Sequence, residues 1–165
     1  MCSVDECSHL VNAILTKNPH LSALLVNPST GRNVPIACRK CSDKGAEGKC
    51  RAFLQREPLE IVLCTNKLRA SHIEEVVAHE STHAYDLTHR RVDLDTGLGL
   101  AYSEVRAARN AECSGWYPFE SLLGMKERCI RKIATLSTAV VFPHDDAAKC
   151  VEVVFDKAME DHSPK

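Results

Sequence analysis

Residues 79–83 of this 165-residue chain read His-Glu-Ser-Thr-His, an HExxH motif, and no other feature constrains the fold as tightly. Side chains four residues apart lie on one face of an α-helix, so His79 and His83 can present two imidazoles to one ion if this segment is helical. The Glu80 carboxylate then lies beside the first imidazole, where it can take a proton from an attacking water. The spacing predicts a helical Zn²⁺ site with a general base, an arrangement typical of hydrolases that cut peptide bonds.

The flanking sequence is typical of a buried helix that follows a strand. Ser71 and Glu74 have the spacing of a capping box, in which each side chain bonds the other's backbone N–H, so we expect the helix to begin at Ser71. Apolar residues follow at helical spacings, namely Ile73, Val76, Val77, Ala84 and Leu87. Ahead of the helix, residues 59–65 are mostly apolar and β-branched, which predicts a strand.

A catalytic zinc ion requires a third protein ligand, and Glu104 is the favoured candidate. Residues 95–99 contain two glycines and predict a turn, and residues 100–113 then predict a second helix. A helix–loop–helix of this kind can return the Glu104 carboxylate to the two imidazoles, as in the gluzincin class of metallopeptidases.

Two rivals for the third ligand stay open. His89 lies ten residues after His79, where the HExxHxxGxxH pattern has its third His. That pattern uses Gly to break the helix, whereas Asp86 stands at the corresponding position here. Asp86 is itself a candidate because it shares the helix face of His83, although a short carboxylate there better suits a hydrogen bond to a His N–H.

Composition is that of one soluble domain covering residues 1–165. Apolar residues make up 44% and charged residues 26%, both ordinary for a globular protein with a stable core. The formal net charge of −1 gives no basis for direct nucleic-acid binding. No apolar run approaches the roughly 18–20 residues that span a bilayer, so we expect any membrane association to be peripheral or through a partner. Residues 119–133 and 145–160 predict further helices.

Nine cysteines are many for a reducing compartment. Cys38 and Cys41 form a Cys-x-x-Cys, and with Cys50 and Cys64 they could hold a structural zinc, but the second pair lacks the zinc-ribbon spacing. We therefore favour disulfides in this region. Cys113, Cys129 and Cys150 fit either buried apolar thiols or a disulfide between two helices, and the odd count leaves at least one cysteine outside any intramolecular pair.

A wider set of motifs, in a fixed order along the chain, resembles a known family. The segments are Asn18-Pro19, Cys38-x-x-Cys41, Ile61-Val62-Leu63-Cys64 with Asn66, His79 to Asp86, Val92-Asp93, Ser103 to Ala108, Cys129 to Ser137, and Asp161-His162-x-Pro164. From near Cys7 to the C-terminus they are similar to the mitochondrial inner-membrane metalloproteases that process and help assemble the ATP synthase. The family tends to have a cysteine where this chain has Tyr102.

The resemblance implies an α+β domain with a zincin-like metalloprotease fold, mainly helical with a small sheet. It implies that His79 and His83 bind zinc and that Glu80 is the catalytic base. The expected activity is that of a zinc metalloendopeptidase in the mitochondrial intermembrane space, peripheral to the inner membrane. Its expected substrate is the precursor of a mitochondrially encoded membrane subunit of the ATP synthase.

Two other functions remain as alternatives. The family resemblance implies assembly activity as well as cleavage, so the first alternative is an assembly chaperone that binds such a subunit without cutting it. A mammalian relative is linked to the Ku DNA-repair protein, which suggests a nuclear scaffold as the second alternative. An intact Glu80 favours the enzyme, because a pure binding protein has no use for a base beside the zinc ligands. Four side chains are of the type that stabilises an oxyanion, namely Tyr85, Tyr102, Arg106 and His144, although a packing or surface role is simpler for each.

Overall fold

The computed structural model describes residues 1–115 and 124–163. The chain divides into two compact units, residues 1–89 and residues 90–165. The fold is α+β, mainly helical with two small sheets, which confirms the class predicted from the sequence. Among the helices that are described, none combines the length and the apolar character needed to cross a membrane. A single zincin-like domain over residues 1–165 stays a prediction.

Two helices open the first unit, α1 (Val4–Lys17) and α2 (Pro19–Leu24). Ser3 and Glu6 form a capping box: the Ser3 hydroxyl accepts from the Glu6 N–H at 3.1 Å, and the Glu6 carboxylate accepts from the Ser3 N–H at 3.3 Å. The chain changes direction at Asn18 because Pro19 has no N–H for α1 but suits the first turn of a new helix.

Along the sequence, the strands of two small sheets come between α2 and the HExxH helix. These strands, with a short helix α3 among them, are β1 (Val26–Asn27), β2 (Arg32–Asn33), β3 (Ile36–Arg39), α3 (Gly45–Lys49), β4 (Ala52–Arg56) and β5 (Leu59–Cys64). β1 and β2 form a hairpin, while β5 lies between parallel β3 and antiparallel β4. β5 matches the predicted strand to within one residue, and its last four residues are buried.

Helix α4 (Ile73–Thr88) carries the HExxH motif and follows a 3₁₀ turn at Ala70–His72. The capping box expected at Ser71 is absent, which corrects the sequence interpretation. An N-cap residue needs extended backbone angles, but Ser71 lies within the 3₁₀ turn, and the extended residue is Arg69. The N-cap position is therefore Arg69, two residues before the predicted cap at Ser71.

The core of the first unit joins α4 to the strands and the N-terminal helices. Ile73, Val77 and Ala84 of α4 are fully buried, and they belong to one cluster with Ile61 and Leu63 of β5. Side chains of the first two helices complete this cluster, among them Cys7, Val11, Leu21 and Leu24. The apolar spacing seen in the sequence thus does face the core.

Two disulfides cross-link the first unit, Cys7–Cys38 and Cys41–Cys64. The first joins α1 to β3, and the second joins the segment after β3 to the end of β5. Since both cysteines of the Cys-x-x-Cys are in disulfides, the alternative of a structural zinc on Cys38, Cys41, Cys50 and Cys64 is wrong.

The second unit contains α5 (Gly97–Asn110), α6 (Met125–Val141) and α7 (Ala147–Glu160). The predicted helix over 100–113 is confirmed with earlier ends, because the Thr96 hydroxyl accepts from the Gly99 N–H at 3.1 Å and caps α5 there. The predicted helix over 145–160 corresponds to α7. Of the helix predicted over 119–133, residues 119–123 lie outside the described part of the chain.

Helix α5 is the centre of the second unit. Residues 100–108 are all buried, and α5 packs against both α6 and α7. Ala101 and Ala108 share a cluster with Ile130 of α6 and with Val151 and Phe155 of α7. Small side chains on α5 let its two neighbours approach closely. A third disulfide, Cys113–Cys129, joins the chain just after α5 to α6.

The segment after α7 is held against α5 by a polar network centred on Asp161. The Asp161 carboxylate accepts from the Tyr102 hydroxyl and pairs with the guanidinium groups of Arg106 at 2.5 Å and Arg90 at 2.8 Å. Burial alone raises the pKa of Asp161, but hydrogen bonds from Ser163 and Tyr102 and the charge of Arg106 outweigh burial. The pKa of Asp161 is therefore held well below its ordinary value of 3.8.

Removing the Cys113–Cys129 disulfide should destabilise the second unit. The cysteines are 16 residues apart, and cross-linking a loop of that size contributes about 3 kcal/mol in the chain-entropy model. We expect the Cys113→Ser, Cys129→Ser double variant to lose about that much unfolding free energy in urea titrations. Cys150→Ser is the control, because Cys150 lies outside the three disulfides. An equal loss in the control would contradict a specific role for the bridge.

Asp161 should also give the protein a defined acid sensitivity. Because its folded pKa is lowered, its stabilisation is fully present above the unfolded pKa and is lost as the pH falls through the folded pKa. Urea titrations of metal-free protein should therefore show Asp161→Asn less stable than wild type by a constant amount from about pH 7 to 5, with the gap narrowing below about pH 4. Asp156→Asn, at an exposed position on α7, is the control. A gap that widens in acid would refute the assignment.

Candidate metal centre

Helix α4 brings the two histidines of the motif together. The Nε2 atoms of His79 and His83 are 3.1 Å apart, and the rings meet edge to face with centroids 4.8 Å apart. Two nitrogen lone pairs at that distance repel each other unless a proton lies on one of them or a cation binds both. The donor set therefore fits a metal ion that takes imidazole ligands, of which zinc is a common example.

Two carboxylates on the same helix are also buried. Glu80 is 7% exposed and follows His79 directly, and Asp86 is fully buried one turn after His83. Carboxylates in such positions are costly to desolvate and are typical of functional sites rather than of apolar cores. At about 100° per residue, His79, His83 and Asp86 share one face of α4, and Glu80 is turned about 100° from His79.

Glu104, the favoured third ligand, belongs to the second unit. It is 5% exposed and lies in the middle of α5. A carboxylate is costly to bury, so this position fits a residue that binds a cation.

Both rivals for the third ligand lie at the C-terminal end of α4. α4 continues to Thr88 without a break, so the condition for the His89 alternative, a helix that ends near Asp86, is not met. His89 is exposed, and its ring stacks on Tyr85 with centroids 4.3 Å apart.

Two of the four candidate oxyanion residues bind a carboxylate of the second unit. Tyr102 and Arg106 both contact Asp161, and burial together with that carboxylate raises the pKa of the Tyr102 hydroxyl. Arg106 is fully buried, and its guanidinium also donates to the Ser163 carbonyl at 2.7 Å. His144 is exposed.

Sequence reasoning did not identify Asp161 as the centre of this network. The signal available was the Asp161-His162-x-Pro164 segment directly after a predicted helix, together with arginines at positions 90, 106 and 109. Nothing in their spacing indicates that they meet, because the contacts bridge more than 50 residues of chain.

Comparison with known proteins identifies relatives along nearly the whole chain. The human protein named mitochondrial inner membrane protease ATP23 homolog is 31% identical over 98% of this chain, which corresponds to 70% of the human protein. The Xenopus laevis protein of the same name is 29% identical over 96% of this chain and 72% of its own length. A Coccidioides immitis protein named mitochondrial inner membrane protease ATP23 is 31% identical over 78% of this chain.

This chain spans 56% of the length of the Coccidioides immitis relative. No solved structure matches this chain. The family described as the Peptidase M76 family matches residues 5–165. That match covers both units, and the relatives named above are proteases in every case, in agreement with the family resemblance drawn from the motifs. The chain therefore belongs to the Peptidase M76 family.

Proposed function

We propose that this peptidase is a zinc metalloendopeptidase with a zincin-like fold. His79, His83 and Glu104 would hold the zinc ion, and Glu80 would serve as the general base. The observation that carries the proposal is the pair of Nε2 atoms 3.1 Å apart, with a buried Glu80 next to the first histidine. Membership of a peptidase family supports the same chemistry.

The proposed mechanism assigns each side chain one task. Zinc, when bound, polarises the scissile carbonyl and lowers the pKa of a water molecule toward about 7. His79 and His83 contribute neutral imidazole nitrogens, which requires that both are deprotonated at Nε2. The Glu80 carboxylate takes a proton from the attacking water as the water oxygen adds to the carbonyl carbon. Glu80 then donates that proton to the leaving amine as the C–N bond breaks.

We further propose a location and a substrate. The relatives are named for the mitochondrial inner membrane, which supports action at that membrane. We propose that the enzyme acts on the intermembrane-space side. Three disulfides suit an oxidising compartment of that kind. The substrate we propose is the precursor of a membrane subunit of the ATP synthase, and the enzyme would associate peripherally with the membrane while assisting assembly of the membrane sector.

Glu80→Gln should separate metal binding from catalysis. The amide cannot accept the proton, and general-base catalysis typically contributes about 10²–10⁴ in rate, so we expect cleavage of the precursor to fall by at least about 100-fold. Zinc content, measured by elemental analysis, should stay near one per chain because Glu80 is not a proposed ligand. Glu74→Gln, at an exposed position on the same helix, should leave both quantities unchanged. Unchanged cleavage by Glu80→Gln would remove Glu80 from the mechanism.

The same variant separates the enzyme from the chaperone alternative. If Glu80→Gln protein still supports ATP synthase assembly in cells that lack the wild-type protein, assembly does not depend on cleavage.

Glu104 and His89 can be compared directly as the third ligand. We expect Glu104→Ala to lower zinc occupancy and cleavage together, because a catalytic zinc with two protein ligands is held weakly. We expect His89→Ala to behave as wild type in both measurements. Far-ultraviolet circular dichroism of the metal-free variants controls for folding. If His89→Ala empties the site and Glu104→Ala does not, the gluzincin interpretation is wrong.

A further inference from the structure

The last residues of α7 and the segment that follows it contact one side of α5. The Arg109 guanidinium donates to the carbonyl oxygens of Met159 at 2.8 Å and Asp161 at 2.8 Å. The Arg106 guanidinium, fully buried, pairs with the Asp161 carboxylate, and the Tyr102 hydroxyl donates to the same carboxylate. Three side chains of α5 therefore converge on a few residues of chain, which we call the C-terminal clamp (residues 158–163).

The three α5 side chains lie on one face of the helix. At about 100° per residue, Tyr102, Arg106 and Arg109 fall within an arc of roughly 60°. Glu104 lies roughly 170° from the middle of that arc, on the opposite side of the helix. Whatever fixes the rotation of α5 about its own axis therefore also fixes the direction in which the Glu104 side chain points.

Packing also holds α5. Its side chains Ala101, Tyr102, Val105 and Ala108 belong to the cluster that α5 shares with α6 and α7. Its N-terminus is fixed by the Thr96 cap, and a Cβ at Gly99 would lie 1.8 Å from the Asp93 carbonyl oxygen, so the backbones touch there. That contact is more than one turn from Glu104. The ionic clamp, in contrast, holds α5 on both sides of Glu104.

Within the clamp, Asp161 has the most contacts. One carboxylate oxygen receives the Tyr102 hydroxyl and the guanidinium groups of Arg90 and Arg106, and the other receives the Ser163 N–H at 3.0 Å and the Ser163 hydroxyl at 2.6 Å. Its side chain is 12% exposed, so these charge-assisted bonds are little screened by water. Both oxygens are engaged, which fixes the carboxylate in place and, through it, Tyr102 and Arg106.

We propose that Asp161 is a positioning residue for Glu104: the C-terminal clamp sets the rotation of α5 and so presents the Glu104 carboxylate to the metal. This inference rests on the proposed function, in which Glu104 is the third zinc ligand. Residues that hydrogen-bond directly to a metal ligand typically change metal affinity by about 10- to 100-fold when mutated, and we expect the lower end of that range for Asp161, which acts through α5.

The test is a double-mutant cycle on metal-free protein, with zinc affinity measured by competition against a chelator. Asp161→Asn places an amide N–H₂ against the donors of Tyr102 or Arg106, and we expect it to weaken zinc binding about tenfold. In a Glu104→Ala background the same change should have no further effect, because the residue it positions is gone. The visible absorption spectrum of the Co²⁺-loaded protein should change in Asp161→Asn, since it reports the coordination geometry.

The matched control is Glu152→Gln. It removes the ion pair between Glu152 and Arg131, which lies in the second unit but outside the clamp. It should leave the zinc affinity and the Co²⁺ spectrum as in wild type. Tyr102→Phe removes one donor to Asp161 and keeps the ring, so it should shift both measurements in the same direction as Asp161→Asn, and it serves if Asp161→Asn does not fold.

The outcomes separate this inference from the proposed function. If Glu104→Ala weakens zinc binding but the clamp variants that fold do not, the positioning role is overturned and the ligand assignment stands. An equal loss from Asp161→Asn in both backgrounds would also overturn it, because Asp161 would then act only on general stability. If Glu104→Ala binds zinc as wild type does, the ligand assignment itself fails and the inference falls with it.

Discussion

Burial of polar side chains in the middle of α4 is the constraint on which the first unit depends. Glu80, His83 and Asp86 occupy interior positions, where an ordinary core helix would have apolar groups. Taking such groups out of water costs free energy, and it also leaves α4 with few apolar side chains in its second half. The buried apolar contacts of α4 come from its first turns and from Ala84. Rigidity of the second half of α4 must therefore come from the segments packed against the helix.

Strand β5 and the segments around it provide that rigidity. The central strand is covered by α4, and the Cys41–Cys64 disulfide fixes its end. The Asn66 amide bonds both the N–H and the carbonyl of Cys41, at 2.9 and 3.1 Å, and the Lys67 ammonium donates to the Ser42 carbonyl at 2.7 Å. In the chain-entropy model a disulfide stabilises mainly by restricting the unfolded chain, so its effect does not depend on how many apolar contacts the folded segment makes.

Local pattern accounts for what could be predicted from the sequence. The HExxH helix, the strand at residues 59–64 and the helix with Glu104 all follow from periodicity within short windows, and these elements carry the candidate site. The start of α4 was mispredicted because the capping-box pattern competes with a 3₁₀ turn of the same residues, and the local sequence does not decide between them. Disulfide connectivity depends on which distant segments meet, and six cysteines alone allow 15 pairings.

The two units support their buried polar groups by different means. In residues 1–89 the framework behind α4 is fixed covalently, by two disulfides that end on its strands. In residues 90–165 the buried Arg106 and Glu104 lie on a helix rich in alanine, one disulfide lies beyond its end, and ionic contacts add to the packing of that helix. Ionic restraint is directional, because a carboxylate accepts hydrogen bonds best near the directions of its lone pairs. The bonds from Tyr102 and Arg106 to Asp161 therefore restrain the rotation of α5 as well as its position.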